Sequence, residues 1–395
     1  RRISVNMTFK KILIISLFLI SLPVGAKECT NRLDYMNMDW WKNYNDEVLI
    51  NHFQTLYENN HDLRIAALKT KQAEENIRLA GANQLPQLGF DGSVSRVFRG
   101  PRTQFGSVVI PKYIQNEIFL PLNASYEIDI WGQNYLNRKS AKKQAEIAKQ
   151  QERAAYIYIT SSFAADYYNL IKMDELERNL LKIIDLQKNI VSMTEKKYNS
   201  GLASINEVLD EKQILVNFEK DLNKLKENKK ILNDEAVVLL GLNTDKAIEL
   251  SDYQSISFPQ TPETLSTTII QFRPDLISSE DYVKKSGIDV RVARRDFLPK
   301  FILYGNLGFN AYKWNRMFAG ETFLANAGIA PRWDIFTGGI KMARYRINKY
   351  EYKKAVESYE KTVLTSIQEV NDALAEAKTT NASGGGRNHK SWQEV

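Results

Sequence analysis

The sequence predicts a fold of very long antiparallel helices joined to a few membrane-type β-strands, with the whole arrangement built by internal duplication. Three observations predict it. Residues 133–198 are 66 residues without proline or glycine, enough for roughly 100 Å of helix. Four segments alternate apolar with polar residues, which is typical of strands. A helix-and-strand unit recurs at an offset of 213 residues, which indicates duplication.

The N-terminal residues predict export from the cytoplasm. Two lysines precede an apolar run that ends in small residues at Ala26. This is the pattern of a cleaved signal peptide over residues 1–26, and the run is too short for a full membrane span. Residues 1–6 precede Met7, a candidate start, and need not belong to the natural product.

Cys29 is the one cysteine of the sequence, so no internal disulfide forms. Its position just after the signal peptide raises the question of a lipid anchor. However, Glu28 stands where a bacterial lipoprotein site has a small residue before the cysteine. Two interpretations stay open: lipidation of Cys29, or a small unmodified side chain.

Composition narrows the function classes. The net charge is +7, but charges of both signs are interspersed along the predicted helices and no nucleic-acid motif occurs, so we expect no nucleic-acid partner. The three histidines, His52, His61 and His389, lack metal-ligand spacing. No catalytic constellation is present. We therefore expect neither an enzyme nor a bound cofactor or metal.

The first half opens with a helix over residues 62–83 that stops at Leu85-Pro86. Two strands are expected next, over residues 88–98 and 118–130, because apolar and polar residues alternate along both. Residues 99–115 between them contain glycine, proline and polar residues, which is typical of a loop.

A long helical hairpin follows. Gly201 is a natural left-handed stop for the first helix, and Ser204 with Glu207 forms a capping box that starts the second. Two charged residues, Glu211 and Lys229, interrupt the seam of the second helix. Its apolar positions otherwise follow the alternating three and four spacing of a helix seam: Val208, Leu215, Phe218, Leu222, Leu225, Leu232, Ala236 and Leu239.

The pattern then repeats, without a counterpart of the last long helix. The repeated helix opens at Asp275-Leu276, and its long partner is expected over residues 341–377. The predicted organisation is a signal peptide (1–26), a first repeat (27–242), a linker (243–272), a truncated second repeat (273–378) and a disordered tail (379–395).

The alternating segments bear on the membrane. No apolar run of 18 residues follows the signal peptide, so no membrane-spanning helix is expected. Strands cross a bilayer only as a closed barrel, and known barrels start at about eight strands. Four strands cannot close alone, so we expect three or more chains to contribute. A soluble, half-buried sheet is the alternative, and the export signal and the duplication favour the barrel.

Several motifs carry a resemblance. They are Trp40-Trp41, Asp62-Leu63 with Leu85-Pro86, residues 126–132, Tyr198 to Gly201, Leu240-Gly241 and Arg273 to Leu276. In this order they make the chain similar to the outer membrane efflux protein family (TolC-like), specifically the outer membrane factors of tripartite drug pumps, over about residues 38–378.

The resemblance implies a homotrimer. Each protomer would give four strands to a shared 12-stranded barrel in outer membrane lipid, and the long helices would form a periplasmic α-barrel. The implied function is a passive export duct for drugs or small molecules. The implied partners are a periplasmic adaptor (membrane fusion) protein and an inner-membrane transporter, which supplies the energy.

Site predictions concentrate at the hairpin turn. Tyr198, Gly201, Leu202 and Ser204 are expected to contact the adaptor, and a well-capped helical turn without a partner is the alternative. Asp210 could add charge to a tunnel mouth, with an ordinary solvated helix face as its alternative.

Three other functions stay open at this point: an outer membrane channel for type I protein secretion, a periplasmic coiled-coil adaptor, and an inactive truncated remnant. The last follows from the missing fourth helix.

Overall fold

A computed structural model of the chain describes residues 46–104, 108–110, 112–243, 245–256 and 272–384. The predicted signal peptide, Cys29 and the Trp40-Trp41 pair lie outside these residues. So do residues 257–271 of the predicted linker and residues 385–395 of the predicted tail.

Six α-helices form most of the described part of the chain, and the third is 67 residues long. Helix α3 packs against α2, α4 and α5, and α6 packs against α5. The predicted hairpin is the α3–α4 pair. The helix bounds are α1 Glu47–Asn59, α2 His61–Ala82, α3 Gln133–Asn199, α4 Ile205–Leu239, α5 Pro274–Arg295 and α6 Ile340–Gly384.

The two halves share the length of their first long element. Helices α2 and α5 are both 22 residues long and begin 213 positions apart. A Leu-Pro pair follows each of them, and a strand begins directly after that pair at Gln87 and at Lys300. The duplicated motif therefore corresponds to a duplicated helix-to-strand corner.

Among the described residues, five strands pair antiparallel in one sheet. Strand order is β1-β5-β6-β7, and β2 also pairs with β5. Two further strands form a separate two-stranded sheet. The bounds are β1 Gln87–Phe90, β2 Ser93–Arg99, β3 Arg102–Gln104, β4 Val108–Ile110, β5 Tyr113–Ile128, β6 Lys300–Ala311 and β7 Phe323–Arg332.

The first predicted strand is in fact two strands. Asp91 and Gly92 separate β1 from β2, and a Cβ at Gly92 would lie only 3.0 Å from the Phe90 ring. Both strands nevertheless pair with β5 in one register, because Phe90 lies opposite Leu122 and Ser93 opposite Phe119. The apolar and polar residues keep the same alternation before and after Asp91-Gly92, because β1 and β2 both pair with β5.

The prediction of a loop over residues 99–115 was wrong. It contains β3, β4 and the start of β5, which begins at Tyr113 and pairs there with Arg99. The first residues of β5, 113–117, are Tyr, Ile, Gln, Asn and Glu, which do not alternate regularly between polar and apolar. The strand therefore leaves no period-two signal there.

The last helix also ends later than predicted. Helix α6 continues to Gly384 rather than to residue 377, so residues 379–384 are helical and do not belong to a disordered tail. Polar residues such as Thr379 do not stop a helix when no proline follows, and the Thr379 hydroxyl donates to the Ala375 carbonyl at 2.9 Å. The described helix stops at the first glycine of a run of three.

Candidate functional site

The turn at the end of the hairpin closes α3 with backbone hydrogen bonds. The Leu202 N–H donates to the Lys197 carbonyl at 2.8 Å, and the Gly201 N–H donates to the Tyr198 carbonyl at 2.9 Å. These two bonds form a Schellman motif. Gly201 takes the left-handed conformation the motif needs, with a φ of 73°, as the sequence predicted.

The same turn caps α4 from the other side. The Ser204 N–H donates to Glu207 Oε1 at 2.9 Å, and the Glu207 N–H donates to Ser204 Oγ at 3.3 Å. The predicted capping box is therefore present. The bond from the Ser204 backbone, and after it the Ser204 hydroxyl, holds the pKa of Glu207 below its ordinary value.

The turn brings the four predicted tip residues together on one exposed knob. Leu202 is 78% exposed and Tyr198 is also exposed. An apolar side chain therefore stands at the extreme end of a rigid, doubly capped hairpin. Asp210 lies exposed farther along α4, and Cys29 lies outside the described residues.

The contact between α3 and α4 follows the predicted seam. All of its positions are buried or half-buried, including the two charged interruptions. Lys229 Nζ donates to Asp174 Oδ1 at 2.6 Å and to Glu177 Oε2 at 2.9 Å. Gln187 Nε2 donates to Glu211 Oε2 at 2.5 Å. Each polar interruption faces a polar partner on α3, which fixes the register of the hairpin.

The sheet carries one continuous apolar face that the single chain leaves exposed. The side chains on this face alternate with the polar ones along β1, β6, β7 and residues 118–128 of β5, as the sequence predicted. An exposed apolar surface of this extent marks a membrane or protein contact. Its exposed large members include Leu88, Phe90, Val94, Phe98, Leu122, Leu303, Leu307, Phe323 and Ile329.

The opposite face of the sheet is polar. Asn123, Asn306 and Asn326 lie side by side across β5, β6 and β7, and Asn123 Nδ2 donates to Asp91 Oδ2 at 2.9 Å. One sheet therefore separates a row of amides from a wall of aliphatic and aromatic side chains.

A tryptophan marks each sheet-to-helix corner. Trp131 Nε1 donates to the Pro299 carbonyl at 2.7 Å, and Trp333 Nε1 donates to the Phe297 carbonyl at 3.0 Å. Both indoles thus hold the turn between α5 and β6, while their rings stay largely exposed.

Two absences concern only the residues the structure describes. Within those ranges, none of the helices is both long enough and apolar enough to span a bilayer. Nor do three or more His, Cys, Asp or Glu side chains of those residues gather as a metal site.

A family model described as outer membrane efflux protein matches residues 53–239 and 265–384, which is more than half of the chain. The chain belongs to the outer membrane efflux protein family. The periplasmic coiled-coil adaptor that the sequence left open is thereby excluded.

Relatives of this outer membrane efflux protein cover most of its length. The pyoverdine export outer membrane protein OpmQ of Pseudomonas putida is 24% identical over 90% of this chain and 74% of OpmQ. The cation efflux system protein CusC of Escherichia coli O157:H7 is 24% identical over 88% of this chain and 74% of CusC. The toluene efflux pump outer membrane protein TtgC of Pseudomonas putida is 28% identical over 86% of this chain and 70% of TtgC.

Solved structures share the fold. The outer membrane protein VceC of Vibrio cholerae superposes with a TM-score of 0.78 at 22% identity, covering 87% of this chain and 82% of VceC. The CmeC outer membrane channel of Campylobacter jejuni gives a TM-score of 0.77 at 25% identity, covering 86% of this chain and 73% of CmeC. This outer membrane efflux protein is accordingly an outer membrane channel with a helical extension into the periplasm.

Proposed function

We propose that this outer membrane efflux protein is the outer-membrane duct of a tripartite efflux system. Solutes pass through it passively, and an inner-membrane transporter, reached through a periplasmic adaptor, supplies the energy. Three copies form the duct. Each copy contributes four strands to a 12-stranded barrel, where β1 and β2 together count as one strand beside β5, β6 and β7. The long helices form the periplasmic α-barrel.

The two-faced sheet is the observation that carries this proposal. A wall between lipid and water needs one apolar face and one polar face, and this sheet has both. The sheet has two edges, formed by β1 with β2 on one side and by β7 on the other. Within the described chain, each of these edge strands has a hydrogen-bonded neighbour on one side only. Unpaired edges are costly in lipid, so copies of the same chain are the natural neighbours.

The size of the sheet fits a bilayer. Strand β6 is 12 residues long, which at about 3.3 Å per residue gives roughly 40 Å along the strand. Tilted by about 40°, such a strand spans roughly 30 Å, close to the apolar band of outer-membrane barrels. Trp131, Trp333 and the exposed Phe336 lie at its helix end, where aromatic residues meet the membrane surface.

Exposed apolar residues on the helices support the assembly of several copies. They lie outside the α3–α4 seam, so the hairpin itself does not cover them. Aromatic and methionine side chains are enriched in subunit contacts. Examples of these exposed residues are Tyr158, Leu186 and Met193 on α3 and Ile347, Tyr350 and Leu364 on α6.

Membership of the family does not identify the transported solute. The names of the relatives speak of pyoverdine, cations and toluene, so similar chains are associated with very different solutes. We propose only that the solute is small enough for the duct.

The assembly is tested on the purified chain. In detergent it should sediment as a trimer that resists dissociation until heated, and it should conduct ions across a planar bilayer. A monomer that stays in solution without detergent would contradict the proposal. A trimer without conductance would support the remnant alternative.

The tip assignment has a separate test. Leu202→Ser removes the apolar side chain at the end of the hairpin, and we expect it to reduce site-specific crosslinking to the adaptor and drug export together. Leu209→Ser is the matched control, since Leu209 is also exposed, at 55%, but lies on the side of α4. Equal losses of crosslinking and export in both variants would show that the tip does not contact the adaptor.

A further inference from the structure

A small cavity lies at the corner between the sheet and α6, with a volume of about 210 Å³. Four of its lining side chains are cations and two are carboxylates. They come from the residue after α5, the start of β6, the end of β7 with the segment after it, and the start of α6. The charged lining residues are Asp296, Lys300, Arg332, Asp334, Lys341 and Arg344.

Two of the cations have a carboxylate of their own. Lys300 Nζ lies 3.2 Å from Glu127 Oε1, and Arg344 lies 3.5 Å from Asp296. Glu127 stands on β5 just outside the cavity. These two pairs leave their part of the cavity close to neutral.

The other two cations share one carboxylate at long range. Asp334 Oδ1 lies 3.8 Å from Arg332 Nε, and Asp334 Oδ2 lies 3.9 Å from Lys341 Nζ. Lys341 is only 16% exposed, and its ammonium otherwise donates to the Asp334 carbonyl at 3.0 Å. Together the seven charged groups leave a surplus of positive charge beside a half-enclosed ammonium, which is costly without a further anion.

The same corner of the first repeat supplies its own anion. The Asp129 carboxylate accepts from the Asn134 N–H at 3.1 Å and from the Tyr135 N–H at 2.9 Å. In the second repeat Lys341 occupies the helix position of Asn134, the second residue of its helix. The equivalent aspartate, Asp334, is drawn to Arg332 and Lys341 instead. A lysine thus stands where the first repeat has a neutral asparagine.

We propose that this cavity binds a small oxyanion, of which inorganic phosphate is the simplest, between Arg332 and Lys341. Charge-assisted hydrogen bonds to such a group would complete the pairing of both cations. Lys300 and Arg332 lie opposite each other on β6 and β7, on the face that also carries Asn306 and Asn326. The anion therefore reaches the cavity from the polar side of the sheet.

This site deepens the proposed function and rests on it for the route of the anion. If the polar face lines the duct, three copies of the cavity form a cationic ring where the strands meet the helices. Solutes that carry phosphate or similar oxyanions would be held there in transit. Binding of the anion itself does not require a conducting pore.

The test is a ³¹P NMR titration of the detergent-purified full chain with inorganic phosphate. Lys341→Gln and Arg332→Gln should each weaken the phosphate Kd about tenfold or more, since each removes a charge-assisted bond. Lys341→Arg should retain binding. Lys353→Gln, an exposed lysine farther along α6, is the matched control and should bind as the unmodified chain does.

Each outcome decides something. Absence of binding by both phosphate and the lipid described next, or an equal loss in Lys353→Gln, overturns the site. Short-chain phosphatidylglycerol is titrated in parallel. If it binds with the same variant pattern and free phosphate does not, the ligand is a lipid headgroup and the route from the polar face is wrong.

Should Lys341→Gln not fold, Arg332→Gln still tests the cavity, because Arg332 is 69% exposed. Failure of trimer formation or conductance, with phosphate binding intact, would count against the proposed function alone.

Discussion

At the scale of single residues, two glycines end the two hairpin helices in the same conformation but in different surroundings. Gly201 and Gly241 have φ values of 73° and 68°. A Cβ at Gly201 would meet nothing within 4 Å, whereas a Cβ at Gly241 would lie 2.5 Å from the Asn59 carbonyl oxygen. The first needs glycine for its backbone angles alone, and the second also needs it for space.

We therefore predict a ranking of alanine substitutions. Gly201→Ala should cost about 1–2 kcal/mol from the left-handed conformation, and Gly241→Ala about 1–3 kcal/mol more because the backbone must move. Gly287→Ala, in the middle of α5 with ordinary contacts to Tyr352, should stabilise by roughly 0.5–1 kcal/mol. Thermal unfolding of the helical circular dichroism signal gives the order. A Gly241→Ala midpoint at or above that of Gly201→Ala would contradict it.

The capping box predicts a pH dependence at the tip. The pKa of Glu207 is lowered from 4.5 by the Ser204 backbone and hydroxyl, so the folded turn favours the charged carboxylate. Its contribution is complete above the unfolded pKa and is lost as the pH falls through the lower folded pKa. A ¹³C NMR titration should place the Glu207 midpoint below 4.5, and Ser204→Ala should raise it. A midpoint at or above the ordinary value would show that the turn does not hold this carboxylate.

At the scale of elements, a buried polar cluster fixes two distant segments to one point of α3. The Tyr167 hydroxyl lies 3.0 Å from both Asp46 Oδ2 and Ser251 Oγ, and it accepts from the Ser251 N–H at 3.1 Å. Asp46 also caps α1 by accepting from the Leu49 N–H at 3.1 Å. Burial raises the pKa of Tyr167 to about 12. The phenol therefore stays protonated and bonded across the physiological range.

Tyr167→Phe should release the segment that follows α4. The change leaves the Ser251 N–H and one Asp46 oxygen without this partner, at a cost of about 1–3 kcal/mol. Amide hydrogen exchange at Ser251 should accelerate by roughly tenfold or more. Tyr158→Phe is the control, because Tyr158 is 73% exposed and should change exchange little. Unchanged exchange in Tyr167→Phe would mean that packing alone holds the segment.

At the scale of the whole molecule, the two faces of the sheet decide where the protein resides. Adjacent residues on β7 point to opposite faces, so the same substitution can be placed on either one. Ala327 lies on the apolar face and Asn326 on the polar face, and both are exposed in the single chain.

We predict that Ala327→Arg blocks membrane assembly and that Asn326→Arg does not. An arginine facing lipid near the bilayer midplane costs about 2–4 kcal/mol, whereas one facing a water-filled lumen is tolerated. The yield of heat-modifiable protein in the outer membrane fraction measures the difference. Equal yields for the two variants would contradict the assignment of the faces.

The sequence alone determined the features that local spacing encodes. The seam of α4, the Gly201 stop and the Ser204–Glu207 box lie within a few residues of their own signals, and the repeat appears as a fixed offset. The two faces of the sheet were also readable, because side chains alternate with period two wherever one side is apolar. The limits were β3 and β4, which are three residues each and too short to show a period, and the polar end of α6.

Only the tertiary structure decided which distant residues meet. Tyr167 and Asp46 are 121 positions apart, and Asp46 and Ser251 are 205 apart. The cationic cavity draws on α5, β6, β7 and α6 at once. The sequence did show one difference between the two corners, because the segment from Asp334 to α6 is longer than the segment from Asp129 to α3. Even so, no spacing in the sequence shows which carboxylate a lysine will face. That choice follows from how packed helices and paired strands carry remote parts of the chain to one corner.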